Sequence, residues 1–299
     1  MASSPSLRVL VSGASGLVGG ALTEALTIDG HHVEHLVRSP ASPGVRWDPA
    51  AGLVDAKALA GFDAVVHLAG ENIAEGRWTD AKKARIRGSR VDGTRLLCEA
   101  LATAPPRVFV GASAIGYYGS RGDEVMVESS APGDDFLADV CVAWEQASAA
   151  LESKCRVVRP RIGVVLSTNG GALAKMRTPF RLGLGGRIGS GRQWMSWISI
   201  DDLVAVLRHC LTDDGLVGPC NAVAPQPVTN AEFTAALGHA LRRPTLLPMP
   251  ALAARALFGE MGDALLLSST RVAPQALEQR GFRFRHPDVT SALHALLAD

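Results

Sequence analysis

Short runs of consecutive apolar residues alternate with longer amphipathic runs through the first two-thirds of the chain. Residues 7–13 (LRVLVSG), 32–37 (HVEHLV), 63–70 (DAVVHLAG), 107–113 (RVFVGAS) and 155–166 (CRVVRPRIGVVL) have the length and β-branched content of strands. Several are apolar at successive positions, the pattern of strands covered on both faces. Between them, residues 17–29, 79–103, 136–152 and 202–213 carry helical periodicity, and 218–225 (GPCNAVAP) reads as a last strand. Strand–helix–strand repetition predicts a doubly wound, parallel α/β sheet with right-handed crossovers.

The pattern changes near residue 225. Helical segments then dominate, in TNAEFTAALGHAL, PALAARALFG, APQALEQRG and VTSALHALLA, with prolines between them. Thr229 or Asn230 followed by Glu232 predicts a helix start. The expected organisation is a nucleotide-type domain over 1–225, with a substrate-side excursion near 167–200. A small, mostly helical substrate or lid domain over 226–299 completes it. The glycine-rich stretch 180–193 is expected to join the two.

Composition adds exclusions. With 299 residues, 47% of them hydrophobic and 20% charged, the chain can bury a sizeable core. A net charge of +1 supplies no global field for nucleic acid. The basic run Lys82, Lys83, Arg85, Arg87 and Arg90 reads as a solvated helix face, without interleaved stacking aromatics beyond Trp78. No stretch of 18 apolar residues predicts a membrane span, and the N-terminus lacks the plan of a secretory leader. The five cysteines never stand in CxxC spacing, and the histidines form no metal spacing, so reduced thiols, no metal and a cytoplasmic setting are expected. The expected partner is a small molecule, with neither nucleic acid nor membrane. The sequence sets no oligomeric state.

The first candidate chemistry lies in VSGASGLVGG. Gly13, Gly16 and Gly19 follow the first strand and open the first helix, with Ser15, Leu17 and Val18 between and beside them. There a first glycine permits the tight turn, a second admits a pyrophosphate, and a third lets helix and strand pack closely, while the helix N-terminus supplies N–H donors. The GxxGxxG spacing at this place predicts a Rossmann dinucleotide loop; the alternative is a plain tight turn. The end of the second strand reads HLVRSP, with Arg38 where a ribose-binding carboxylate would otherwise stand. A guanidinium there suits a 2′-phosphate, hence NADP(H); the alternative is an ordinary solvated arginine.

Further motifs extend the picture over almost the whole chain: GASGLVG, LAGENIAEGRW, SRVDGTRLL, SAIGYYG, WEQAS, RIGVVLSTNGGALAKM, GLGGRIGSGRQWMSWISIDDL and SSTRVAPQALEQRGFRFRHPD. With them the chain resembles the extended short-chain dehydrogenases/reductases. More narrowly, it resembles the epimerase-like subfamily with its own C-terminal domain, once labelled cell-division inhibitors. The resemblance implies an NADP(H)-binding Rossmann domain. In it Leu68, Ala69 and Gly70 line the nicotinamide nucleotide, and Arg90 reaches the cofactor.

The chemistry departs from that family. Its acid–base pair is a Tyr and a Lys one helical turn apart, with a Ser or Thr polarising the substrate oxygen. Here those helix positions fall near Leu137 and Cys141, and neither can hold the charge or proton required. The only tyrosines are Tyr117 and Tyr118, in a turn after the fourth strand. Ser113, Tyr117 and Tyr118 remain as catalytic candidates, each with a packing role as its alternative. Arg159 and Arg161 end a central strand and could fix a cofactor carboxamide or phosphate, or an interdomain carboxylate. Glu71 and Asn72 could face the substrate, whereas Glu145 reads as a helix-surface carboxylate. Arg192, Gln193, Trp194 and Trp197 suggest a ligand-facing wall, or else core.

Two functions follow. One is an NADP(H)-dependent oxidoreductase or epimerase acting on a small polar metabolite; the alternative is an NADP(H)-binding or sensing protein that lost the dyad. Replacing Arg38 by Ala is expected to weaken NADPH binding far more than NADH binding in a nicotinamide-fluorescence titration. Equal losses would detach Arg38 from the cofactor phosphate.

Overall fold

The computed structural model describes residues 5–298. In chain order the first half holds β1 (Arg8–Ser12), α1 (Leu17–Ile28), β2 (His32–Val37), β3 (Val45–Asp48), β4 (Leu53–Val54), β5 (Ala64–His67), α2 (Asp80–Leu101), β6 (Val108–Gly111), β7 (Ser113–Ala114), β8 (Val125–Met126) and α3 (Phe136–Gln146). Then come β9 (Arg156–Ile162), β10 (Val164–Ser167), α4 (Gly171–Arg181), β11 (Trp194–Met195), β12 (Trp197–Ser199), α5 (Ile200–Thr212) and β13 (Gly218–Ala222). The last part holds β14 (Val228–Thr229), α6 (Asn230–Leu241), α7 (Ala251–Phe258), α8 (Glu260–Gly262), β15 (Arg271–Val272), α9 (Gln275–Gln279) and α10 (Val289–Leu297).

The main sheet runs β13-β9-β6-β5-β1-β2-β3-β4, with β7 beside β9. Every pairing in it is parallel except the small hairpin β3/β4. Alternation along the strands sorts side chains to two faces. Val9 and Val11 pack with Leu22 and Leu26 of α1 and Leu203 and Leu207 of α5. Leu10, Val65 and Phe109 pack on the other face with Leu97 and Leu101 of α2. This is the doubly wound Rossmann architecture read from the sequence. Its strand order reverses between β1 and β5, where such folds place a ligand.

A second core stands beside the sheet. Leu166, Trp197, Leu173 and Phe180 pack there with Phe233 and Leu237 of α6 and Leu293 of α10. Helix α6 starts at the expected place: Thr229 caps the Glu232 N–H and the Glu232 side chain caps Thr229 in return. Among the described residues no helix is long and apolar enough to cross a membrane.

The structure differs from the expected elements in five places. The run 155–166 is two strands, because Gly163 breaks it: a Cβ there would lie 2.8 Å from the Ser196 carbonyl oxygen and from Val223 Cγ1. Chain beyond Gly163 therefore leaves the main sheet, and β10 pairs with β12. The β3/β4 hairpin and α4 stand where the apolar pattern predicts no element. The third helix stops at Gln146, before a separate short turn at Ala149–Leu151. Finally, α2 is not a purely solvated basic face, since Lys82 is buried and bonds Glu71 Oε1 at 2.7 Å.

Substituting Gly163 by Ala should force backbone apart at the branch between the two cores. The expected loss is about 1–3 kcal/mol, read as a lower denaturant midpoint. An unchanged midpoint would mean that this close approach is not what splits the strand.

Candidate active site

The glycine loop is held by backbone contacts that exclude side chains. Gly13 has φ +70°, and a Cβ on it would lie 3.0 Å from the Leu68 and Ala69 backbone. On Gly19 it would lie 2.2 Å from the Gly13 carbonyl oxygen, so strand and helix touch directly. Gly16 caps α1 without any side-chain bond, and no acid occupies the first turn. The first N–H groups of α1 are therefore open to an anion at the β1/β5 crossover. Ser15 and Gly16 form the exposed crest, while Leu17 and Val18 are half-buried, Val18 against the core.

The crossover itself is fixed by Ser12 and His67, which are opposite each other on β1 and β5. The Ser12 hydroxyl accepts the N–H groups of Leu68 (3.0 Å) and Ala69 (3.1 Å). Its own hydrogen is left for His67 Nδ1, 2.7 Å away, which puts the ring hydrogen on Nε2. His67 is fully buried, and desolvation by burial pulls its pKa down from 6.5 to about 4. A neutral imidazole thus holds the strand end at Leu68–Gly70.

Two arginines flank this crevice. Arg90 donates to the carbonyls of Glu71 (3.0 Å) and Ile86 (3.2 Å), and its guanidinium lies over the Trp144 ring. It stands against Gly70, where a Cβ would come within 3.2 Å of Cζ, and burial lowers its pKa. Arg38 is exposed one residue beyond β2, and among the described residues no carboxylate pairs with it.

A second row of polar residues crosses the strand ends farther along the sheet. Ser113 on β7 and Asn221 on β13 both stand opposite Arg161 on β9. From α3, Glu145 accepts the Ser113 hydroxyl at 2.6 Å and two Arg161 bonds at 2.8 and 2.9 Å. Tyr118 donates to Asn221 Oδ1 at 2.6 Å and accepts Arg161 Nη1 at 2.9 Å, and the same Nη1 reaches the Glu128 carbonyl. Burial opposes the Arg161 charge, but the hydrogen bonds and charge of Glu145 outweigh it and push its pKa up. Burial, opposed by Arg161, pushes the Tyr118 hydroxyl up to about 12.

This geometry sorts the candidates. Tyr118 is fully buried with its hydroxyl bonded on both sides, so it belongs to the frame and not to the proton-donating surface. All three Arg161 nitrogens are engaged inside the protein, which separates Arg161 from the nucleotide and makes it the centre of the row. Tyr117 is half-buried with its ring 3.4 Å from Arg161 Cζ, and its hydroxyl bonds nothing among the described residues. Ser113 is buried and points its hydrogen at Glu145. Glu145, read as a surface carboxylate, is instead the group that joins Ser113 to Arg161.

The usual dyad positions are filled by packing. A Cβ on Gly116 would lie 3.3 Å from Leu137 Cβ and 3.7 Å from Cys141 Sγ, so both side chains press on the turn that carries the tyrosines. Burial pushes the Cys141 thiol up to about 12. Glu71 is taken by Lys82, whose hydrogen bond lowers its pKa, and Asn72 accepts the Ala74 N–H within its own turn. Of the expected wall, Trp197 is core and bonds the Gln226 carbonyl. Trp194 is half-buried beneath Arg271 and bonds Asp123, Gln193 bonds the Ile188 and Leu266 carbonyls, and Arg192 is exposed.

The C-terminal segment closes on the same side. Lys83 bonds Glu260 at 2.6 Å, Arg77 bonds the Ala256 carbonyl, and Met261 packs with Trp78, Ile86 and Val140.

Residues 9–219 match the model of the NAD dependent epimerase/dehydratase family, and residues 249–296 match a domain of unknown function. An epimerase family protein of Mycobacterium bovis is 48% identical over 288 residues, covering 95% of this chain and 96% of the relative. The human epimerase family protein SDR39U1, solved with NADPH, superposes with a TM-score of 0.91 at 38% identity, covering 98% of this chain and 100% of that one. A nucleoside-diphosphate sugar epimerase from Corynebacterium glutamicum gives a TM-score of 0.81 at 41% identity, over 99% of this chain and 59% of that one.

Because folded His67 resists protonation, its contribution to stability is complete above pH 6.5 and is lost as pH falls toward about 4. Over that window wild type should lose roughly 3 kcal/mol that His67→Asn does not lose, measured by denaturant unfolding at each pH. Equal pH slopes for the two proteins would place the titration elsewhere.

Proposed function

The chain belongs to the NAD dependent epimerase/dehydratase family, and from that premise we propose that it is an NADP(H)-dependent oxidoreductase or epimerase acting on a small polar metabolite. The observation that carries the cofactor choice is Arg38, an exposed and unpaired cation at the end of β2, beside the open N-terminus of α1. The glycine loop fits the group, since Gly13, Gly16 and Gly19 leave it without side chains at the three positions where strand, helix and a pyrophosphate must approach closely. Gly13, Ser15, Gly16, Leu17, Val18 and Gly19 would hold the phosphates, Arg38 the 2′-phosphate, and Leu68, Ala69, Gly70 and Arg90 the nicotinamide side. Bound there, the nicotinamide would supply hydride chemistry.

The chain's own contribution is proton handling and orientation. Tyr117 carries the hydroxyl that is free to exchange a proton with a substrate oxygen. Ser113 gives its hydrogen to Glu145, so toward a ligand its oxygen accepts, which suits a substrate hydroxyl. Tyr118, Arg161 and Asn221 keep that pair in place. Residues 226–299, with the excursion 167–200, form the substrate side, supported by their shared core of Leu173, Phe180, Phe233 and Leu293; the stretch with Leu277, Phe282 and Phe284 departs from that division, since it packs on the main-sheet core.

One observation favours a second reading, a protein that binds or senses NADP(H) without turnover: Leu137 and Cys141 fill the positions of the missing dyad. A titration with NADPH and NADH, followed by hydride exchange from labelled NADPH into a metabolite pool, separates the two. The enzyme should bind NADPH more tightly and exchange label, and Tyr117→Phe should cut exchange about 10²-fold or more with NADPH affinity unchanged. Binding without exchange would leave the sensor. Binding of neither nucleotide would overturn both.

A further inference from the structure

Exposed leucines are concentrated on one edge of the substrate side. Leu182 and Leu184 follow α4, and Leu246 and Leu247 precede α7; their exposures run from 53% to 81%. The two segments are laced together. Arg243 Nε donates to the Arg181 carbonyl (2.8 Å), Leu247 N–H to Gly185 (3.4 Å) and Met249 N–H to Arg187 (2.9 Å). The four leucines therefore belong to one edge. Leu252, 78% exposed at the start of α7, follows directly.

The same edge is basic. Residues 162–200 and 221–259 together contain eight arginines or lysines and one acid, Glu232, in a chain whose whole net charge is +1; of the eight, Arg255 is paired with Asp263 just beyond and Lys175 bonds the Ala74 carbonyl. Glu232 is spent in the α6 capping box. Arg187 lines an open groove of about 310 Å³ with Leu246, Thr245 and Pro248, so cation and leucine share one surface. Arg242, next to Arg243, is the sole non-glycine residue with positive φ (53°) among the described residues. The chain thus keeps a charged side chain where glycine would relax the backbone.

We propose that this edge docks on an anionic lipid bilayer, the leucines entering the headgroup layer and the arginines facing lipid phosphates. It is a peripheral contact that needs no spanning helix, and it revises the expectation of no membrane partner. Apolar insertion combined with basic attraction is the arrangement that binds anionic leaflets. A second copy is disfavoured because a two-fold contact would set arginines against arginines. A protein partner is disfavoured because the patch lacks the aromatic anchors that dominate such interfaces and consists of leucine, which is under-represented among them.

The test is co-sedimentation of the full chain with phosphatidylcholine vesicles, with and without phosphatidylserine. The chain should pellet with the anionic vesicles, less with neutral ones, and less as salt rises. Leu246→Ser with Leu247→Ser, both fully tolerable as exposed positions, should lower partitioning at least about tenfold. Arg242→Gly removes charge while supplying the residue its backbone favours, so it should lower partitioning about fivefold with an unchanged or raised melting temperature. Absence of pelleting, or pelleting unaffected by the leucine substitutions, would overturn the proposal. So would a dimer in solution that the leucine substitutions dissolve, or capture by an acidic polypeptide without vesicle binding; these assign the edge to a second copy or to a protein partner. None of these readouts depends on nucleotide binding.

Discussion

The ion pair between Arg161 and Glu145 is the constraint around which the polar row at the strand ends of the sheet is organised. Both side chains are withdrawn from water, at 3% and 13% exposure. A pair so placed repays its desolvation only if the remaining donors and acceptors are also satisfied. Here they are: Ser113 donates to the carboxylate, while Tyr118 and the Glu128 carbonyl take the rest of the guanidinium. Removing either member would leave an uncompensated buried charge, a loss of about 3–5 kcal/mol. The pair ties α3 to β9, and its neighbours tie β7, β13 and the tyrosine turn to both. The site is therefore a single electrostatic unit, and no member can be assigned a role alone.

That unit accounts for the missing dyad. Positions 137, 141 and 145 recur every four residues and share one face of α3. The first two carry Leu and Cys and pack on the Gly116 turn, while the third carries the carboxylate. The polar side chain on this face stands one turn along, and both tyrosines stand on the turn opposite. A cation still accompanies the tyrosine, but it is Arg161, stacked on the Tyr117 ring and fixed by Glu145.

Local signals made much of the nucleotide half legible. Glycines that must be glycine, apolar strands covered on both faces and the Thr229–Glu232 capping box are written in short windows, and the structure has them where the sequence predicts. What escaped depends on neighbours far along the chain. Glu145 looks solvated because its sequence neighbours include Gln146 and Ser148; only register brings Arg161 and Ser113 to it. Gly163 breaks a strand because Ser196 and Val223 arrive there from later segments. Helix α4 was hidden by its glycine start and by Pro179. Ser12 and His67 carried no visible signal in the sequence, since a serine before a glycine and a histidine in a strand are individually ordinary. Their pairing is created by adjacent β1 and β5.

The two halves of the site rest on different physics, and this explains why one is easier to recognise. At the glycine loop the tolerance is steric: an added carbon on Gly19 would sit 2.2 Å from a backbone oxygen, and no neighbour can yield enough to admit it. Sequence there is confined to one residue type. The Ser113–Glu145–Arg161 row is held by hydrogen bonds between side chains, which alternative donors and acceptors can satisfy if they change together. Such a network can be rebuilt while the sheet beneath it stays the same. A nucleotide-binding half can thus remain recognisable while the polar row beside it takes a new form, as α3 does here.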